Sequence, residues 1–306
     1  MPFVENTTGV IMIFDGVGVG VDQVIEVSDS DAANLVRGGW TLVDSPPVVS
    51  ARHAGLSGVI PEVATVFHPL AKYALDGYDS LVVPKQPFGY GLKLQLPMAG
   101  NDQYGDCTIA GAVHMAQICA AVAGVQWTYP GDSVVEAFYF KLTGGPDSGL
   151  MLSTVLTALS QPNPLGFQIV GAASLNDATY KGVREATYNF GCSYLAVDLP
   201  ASAESDFNES APWRLPEPPD QPIGGHCIVG GGDENVLSSG SVSDETDILD
   251  VATWAAWTEC TSSWWNYYGS QCDVVLPEWY VEANHPILGV LDVDAWRADM
   301  REIAAQ

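Results

Sequence analysis

The chain contains few basic residues. Among its 306 residues there are 11 Lys and Arg against 37 Asp and Glu, which gives a formal net charge of −26. A surface with this excess of negative charge repels the phosphates of DNA, RNA and anionic membranes. The composition therefore excludes direct nucleic-acid binding. It favours a highly soluble protein, or one present in many copies on an outer surface.

Long apolar runs are also missing. No stretch reaches the roughly 20 uninterrupted apolar residues that a membrane helix needs. The first residues have neither the basic region nor the apolar region of a secretory signal peptide. We therefore expect a protein that is made and folded in a cytoplasm and does not insert into membranes.

The cysteines do not form metal-binding or redox motifs. None of the six stands in a C-x-x-C pair, which argues against a zinc ribbon or a dithiol redox site. The acidic stretches 204–209 and 244–247 lack the Asp spacing of an EF-hand and are predicted to be solvated loops. No metal and no cofactor is predicted. Cys260 and Cys272 flank a short aromatic loop, and the sequence leaves open whether they form a disulfide.

Residues 1–45 are predicted to form a small module of their own. Short apolar strands at 10–14, 24–27 and 40–43 surround a helix over 32–37, which Ser28–Asp31 would cap and Gly38-Gly39 would end. This order of strand, capped helix, glycine pair and strand resembles small modules at the ends of tailed-phage virion proteins.

The remainder divides into an arm and a large domain. Residues 46–94 are rich in Pro and Gly and predict an extended arm, of which 76–97 would run along the outside of the next domain. From residue 95 to 306 helical patterns come first and apolar strand patterns follow. This order is typical of an α+β domain rather than of alternating βαβ units.

Cys107 and His226 are the candidate catalytic residues. Cys107 follows a polar, glycine-containing turn and begins an apolar helix, where unpaired backbone N–H groups and the helix dipole favour a thiolate. His226 follows Gly224-Gly225 and begins an apolar strand. A thiolate and a distant histidine are the two parts of a cysteine nucleophile.

This layout resembles that of papain-like cysteine peptidases, in which a cysteine begins the helical half and a histidine begins the β half. More closely, the chain resembles papain-like proteins encoded by actinobacterial phages and their hosts. The resemblance covers about residues 95–300. It rests on Gly100-Asn-Asp-Gln-Tyr-Gly-Asp-Cys107, on Gly-Gly-His226, and on Thr253-Trp254 followed by an aromatic helix and the strand that ends at Pro277-Glu-Trp279.

The resemblance implies a role for each matched residue. Cys107 would be the nucleophile and His226 the general base. Asn101 matches the amide that helps to stabilise the oxyanion, together with the backbone N–H of Cys107, and Gln103 is the alternative for that role.

The residue that would orient the histidine departs from the pattern. Alignment on Trp254 places Ala252 where these enzymes have an Asn, and Ala cannot hold an imidazole. Thr253 is the neighbouring candidate, and Asp233 and Asp250 remain alternatives. The sequence thus predicts an incomplete triad.

Two functions from different classes follow. The first is a phage virion structural protein, that is a capsid decoration, minor capsid or tail component, built on a papain-like fold. It would be multi-copy and bound to other virion proteins. The second is an active cysteine hydrolase that cleaves peptide or isopeptide bonds, or transfers the acyl group to an amine. A structural protein would have its cleft filled, with residues 76–97 as the candidate segment, whereas an enzyme needs an open cleft.

Overall fold

The structure of the protein is a computed structural model. It describes residues 58–62, 66–75, 84–175, 178–234 and 247–305 in full, and five short strands among the first 52 residues. The chain divides into two compact units, residues 1–52 and 53–306.

The first unit contains two small antiparallel sheets. β1 (Phe3–Glu5) pairs with both β4 (Val24–Glu26) and β5 (Thr41–Val43), and β2 (Met12–Phe14) pairs with β3 (Val17–Val19). Strands therefore occur in each of the three stretches for which they were predicted. The helix predicted over 32–37 lies outside the described residues.

The helices of the second unit mostly precede or flank its sheet. In chain order they are α1 (Cys107–Ala123), α2 (Asp132–Thr143), α3 (Leu152–Leu159), α4 (Tyr180–Phe190), α5 (Ala201–Asn208), α6 (Ser262–Tyr268), α7 (Glu278–Glu282) and α8 (Val293–Ala304).

The sheet of this unit is antiparallel throughout its described part. Its strands are β6 (Ile169–Ser174), β7 (Ser193–Pro200), β8 (Pro222–Gly232), β9 (Ile248–Thr253), β10 (Ala256–Thr261) and β11 (Gly269–Pro277). The strand order is β10-β9-β8-β7-β11-β6. A helix that begins with Cys107 thus packs against a sheet that carries His226, and the α+β order predicted from the sequence is confirmed.

One prediction between the site motifs was wrong. Residues 204–209 were predicted as a solvated loop, but most of them belong to α5, which buries Ala203 against the domain.

Trp254 and Ala255 form the tight turn between β9 and β10, with φ of 43° and 61°. Positive φ at both turn residues matches the twist of the flanking strands. Nothing in a Trp-Ala pair signals such a turn.

α1 is the central helix of the domain and is buried on almost every side. Its apolar residues are not confined to one face, which is typical of a helix surrounded by protein. It ends at Gly124, which adopts a left-handed conformation that glycine tolerates. Small residues allow it to lie close to the sheet: a Cβ on Gly111 would come within 2.9 Å of the Cys227 Sγ and 3.1 Å of the Tyr194 ring.

The described parts of the Pro/Gly-rich segment lie on their own domain. Tyr90 donates a backbone hydrogen bond to Gly231 of β8 at 2.7 Å, and Phe88 donates one to the Asp233 carboxylate at 2.6 Å. The Arg184 side chain binds the same carboxylate and the carbonyl oxygen of Pro84. These contacts attach residues 84–90 to the C-terminal end of β8.

Trp296 of α8 attaches the C-terminal helix to the rest of the domain. Its indole is fully buried, stacks on Tyr73 at 4.8 Å between ring centroids, and donates to the backbone oxygen of Ala172 in β6 at 2.7 Å. The indole lies directly over Gly171, where a Cβ would come within 2.3 Å of it. The C-terminal helix thus contributes a large side chain to the core.

We predict that Gly171→Ala destabilises the domain by about 1–3 kcal/mol, because the added methyl group overpacks a rigid indole. Urea unfolding followed by tryptophan fluorescence measures this. Gly289→Ala is the matched control, since a Cβ there meets nothing within 4 Å. Equal unfolding midpoints for the two variants would contradict the packing described for Trp296.

Candidate active site

The site begins at the turn before α1. Ala99 and Gly100 both have positive φ, and the backbone N–H groups of Asn101 and Gln103 close the turn on Met98 and Gly100. This turn brings the chain to Asp106, the N-cap residue, so that Cys107 occupies the first turn of α1.

His226 lies on β8, and residues at the end of the neighbouring strand β9 hold its imidazole. Its Nε2 lies 2.7 Å from the Thr253 Oγ1 at the end of β9. Its ring stacks on the Trp254 indole with 4.6 Å between centroids and 28° between planes. The hydroxyl of Thr253 and the face of Trp254 therefore fix the position of the imidazole, although the resemblance places the orienting Asn one residue earlier, at Ala252.

The two aspartates considered as alternatives to Thr253 have other partners. Asp233 binds Arg184 and the backbone N–H of Phe88, and Asp250 accepts a hydrogen bond from the backbone of Glu234 at 2.6 Å. Both side chains fasten the segment that follows β8. The Thr253 hydroxyl is the group that lies within hydrogen-bond distance of the His226 Nε2.

Asn101 is buried at the start of α1. Its Nδ2 donates to the Asp106 Oδ1 at 3.3 Å, which orients the amide, whereas Gln103 is exposed. The burial of Asn101 favours it over Gln103 as an oxyanion donor, because a preorganised donor must be fixed before the reaction.

Asp106 is an unusual neighbour for the candidate nucleophile Cys107. It is fully buried, its Oδ2 has no hydrogen-bond partner, and burial raises the pKa of the carboxyl to about 8 against the opposing effect of the Asn101 amide. At neutral pH the carboxyl is mostly protonated. When it is ionised, its negative charge adds to the effect of burial in raising the pKa of the Cys107 thiol.

The Cys107 thiol is covered in this structure. The residue is 2% exposed, and burial raises the pKa of the thiol to about 12. The backbone of Cys227 and the N–H groups at the helix start act in the opposite direction. The sequence predicted a thiolate-favouring environment, and for the covered state this was wrong, because the cost of desolvating a charge exceeds the effect of the helix start.

Residues 58–60 cover the thiol. The backbone of Gly58 lies so close that a Cβ on it would come within 2.4 Å of the Cys107 Sγ and 2.8 Å of the Gly105 carbonyl oxygen. The segment forms a parallel bridge between Val59 and Leu150. Residues 58–60 thus cover the thiol, and no local pattern signals a pairing with residues so distant in the chain. The sequence suggested 76–97 for this place, and residues 76–83 of that range lie outside the described residues.

The other cysteines and His114 have structural positions. The cysteines other than Cys107 are buried free thiols, so Cys260 and Cys272 do not form a disulfide. The His114 Nε2 lies 2.9 Å from the Pro97 carbonyl oxygen, and burial lowers the pKa of its imidazole to about 4. Within residues 58–305, where they are described, no group of three or more His, Cys, Asp or Glu could hold a metal ion. Among those same residues no helix is long and apolar enough to cross a membrane.

Comparison with known proteins finds likenesses among solved structures only. No protein-family model matches the chain, and no curated protein matches it. The crystal structure of xylellain, a cysteine protease from Xylella fastidiosa, is similar to this chain with a TM-score of 0.49 and 13% sequence identity. The match covers 72% of this chain and 97% of xylellain.

Proposed function

We propose that the protein is a cysteine hydrolase that cleaves peptide or isopeptide bonds, with Cys107 as nucleophile and His226 as general base. The observation that carries the proposal is the fixed imidazole: His226 is held by Thr253 and stacked on Trp254, on the strand that lies against the helix of Cys107. An imidazole needs such a partner to keep one tautomer during proton transfer.

The chemistry follows from this arrangement. The Thr253 hydroxyl accepts the Nε2 proton of His226, so that Nδ1 is the basic nitrogen. Nδ1 takes the proton of the Cys107 thiol, and the thiolate attacks the substrate carbonyl to form a carbon–sulfur bond. The Asn101 amide and the Cys107 backbone N–H bind the oxyanion.

The leaving amine then takes the proton from the imidazolium as the carbon–nitrogen bond breaks. Water, deprotonated by the same imidazole, attacks the thioester, which releases a carboxylic acid and restores the thiol. An amine in place of water would give acyl transfer with the same residues.

A second candidate is a structural protein of a phage virion, in which the papain-like domain is a non-catalytic scaffold that binds other capsid or tail subunits. The covered thiol favours it, since Cys107 is 2% exposed and Gly58 occupies the space above it. This candidate predicts no turnover under any condition and assembly of the protein into particles.

The first prediction distinguishes these candidates by hydrolysis of a quenched fluorescent peptide library. We expect turnover that Cys107→Ala abolishes and that His226→Ala lowers by at least about a hundredfold, because a general base contributes at least that factor. Cys272→Ala, a buried cysteine of β11, is the matched control and should retain activity. Lack of turnover by both the wild type and Gly58→Ala, which loosens the covering segment, would refute the hydrolase.

The second prediction concerns Thr253. Thr253→Val keeps the side-chain shape but removes the hydroxyl from Nε2, and we expect kcat to fall by about 10–100-fold for the loss of one buried hydrogen bond. Nitrogen-15 NMR of the imidazole should change from one tautomer to a mixture, a change that a purely structural role would not produce.

Thr258→Val is the control for Thr253→Val. Thr258 is a buried threonine of β10 whose hydroxyl has no hydrogen-bond partner, so its loss should leave kcat and the imidazole spectrum unchanged. If Thr253→Val behaved like this control, Thr253 would have no positioning role.

A further inference from the structure

The segment over Cys107 is held by backbone hydrogen bonds on both of its sides. Val59 donates to the Gly225 carbonyl oxygen at 3.3 Å, on the strand of His226. On the other side, Ile60 donates to the Leu150 carbonyl oxygen at 3.0 Å and Leu150 donates to the Gly58 carbonyl oxygen at 2.9 Å. Such main-chain pairing holds any extended peptide, whatever its side chains.

The position over the thiol admits only glycine in this arrangement. The space that a Cβ of Gly58 would take is filled by the Cys107 Sγ at 2.4 Å and the Gly105 carbonyl oxygen at 2.8 Å, and the latter is backbone that cannot rotate away.

The cleft wall also accommodates Val59, the residue after Gly58. A Cβ on Gly225 would come within 2.7 Å of the Val59 carbonyl oxygen. The absence of a side chain at Gly225 therefore leaves the space that residues 58–60 occupy. Val59 is buried, whereas Ile60 is 40% exposed. The contacts are therefore tightest at the two residues next to the nucleophile.

From these contacts we propose that residues 58–60 bind as an intramolecular pseudosubstrate, and that the cleft selects an extended peptide with glycine over the Cys107 thiol. This inference rests on the proposed hydrolase site. It assigns the substrate class, a glycine-containing extended peptide or an isopeptide-linked glycine, and it makes displacement of residues 58–60 a condition of turnover. It also explains the raised pKa of the thiol, because the covering segment removes water from the sulfur.

Alkylation of Cys107 by iodoacetamide at neutral pH, followed by peptide mapping, tests the covering without requiring catalysis. Wild-type Cys107 should react slowly. Gly58→Ala should speed the reaction at least about tenfold, because the methyl group shifts the equilibrium towards the displaced segment. Gly225→Ala should do the same from the opposite wall, and Gly289→Ala, with open space around its Cβ, should react like the wild type.

Two short peptides then test the selection of glycine. Acetyl-Gly-Val-Ile-Pro-Glu-amide, which copies residues 58–62, should slow the alkylation of Gly58→Ala by about threefold or more at millimolar concentration, a range that suits a short peptide. The same peptide with Ala in the first position should give no protection.

These experiments test the glycine-selective site independently of hydrolase activity. Unchanged alkylation in both Gly58→Ala and Gly225→Ala would overturn it, and so would equal protection by the two peptides. Faster alkylation with selective protection, but without peptide hydrolysis, would support the glycine-selective site and refute the hydrolase.

Discussion

The close approach of α1 to the sheet is the constraint on which the candidate site depends. Gly111 and the small side chains of the helix allow its backbone to lie against Cys227 and Tyr194, and the Tyr194 hydroxyl donates to the backbone oxygen of Thr108 in the first turn of α1. This contact fixes the start of the helix, and hence Cys107, relative to the strand of His226. A larger residue at position 111 would move the nucleophile away from its base.

Two opposing effects act on the thiol. The backbone N–H groups at the helix start favour the thiolate, while burial under residues 58–60 favours the neutral thiol, and burial has the larger effect. Asp106 belongs to the same balance, since the negative charge of its carboxylate is a second cause, after burial, of the raised pKa of the thiol. A segment that can leave the cleft therefore controls both access to the sulfur and its ionisation. A Cys107 thiol that is covered in this structure is therefore compatible with the proposed hydrolase activity.

The sequence predicts the local parts of this arrangement well, because their signals are local. An apolar run that starts at Cys107 and stops at Gly124 indicates α1, and the glycine pair before His226 indicates a strand near a cleft. The pairing of Thr253 with His226 depends on the register of β8 and β9, so it could be suggested only through the resemblance. The position of Gly58 over the thiol could not be predicted, because it depends on contacts with Leu150 and Gly225, which are distant in the chain. The helical fold of 201–208 was missed for a similar reason, since the packing of Ala203 outweighs a polar composition.

The central claim is that Cys107 forms a covalent acyl intermediate with the help of His226. The most direct measurement is intact-mass analysis and peptide mapping of the acid-quenched protein during incubation with an activated ester of N-acetylglycine. The account predicts a thioester on Cys107 that accumulates in the wild type and is lost in His226→Ala. Acylation spread evenly over the six cysteines, or a Cys107 adduct that forms equally fast without His226, would contradict it.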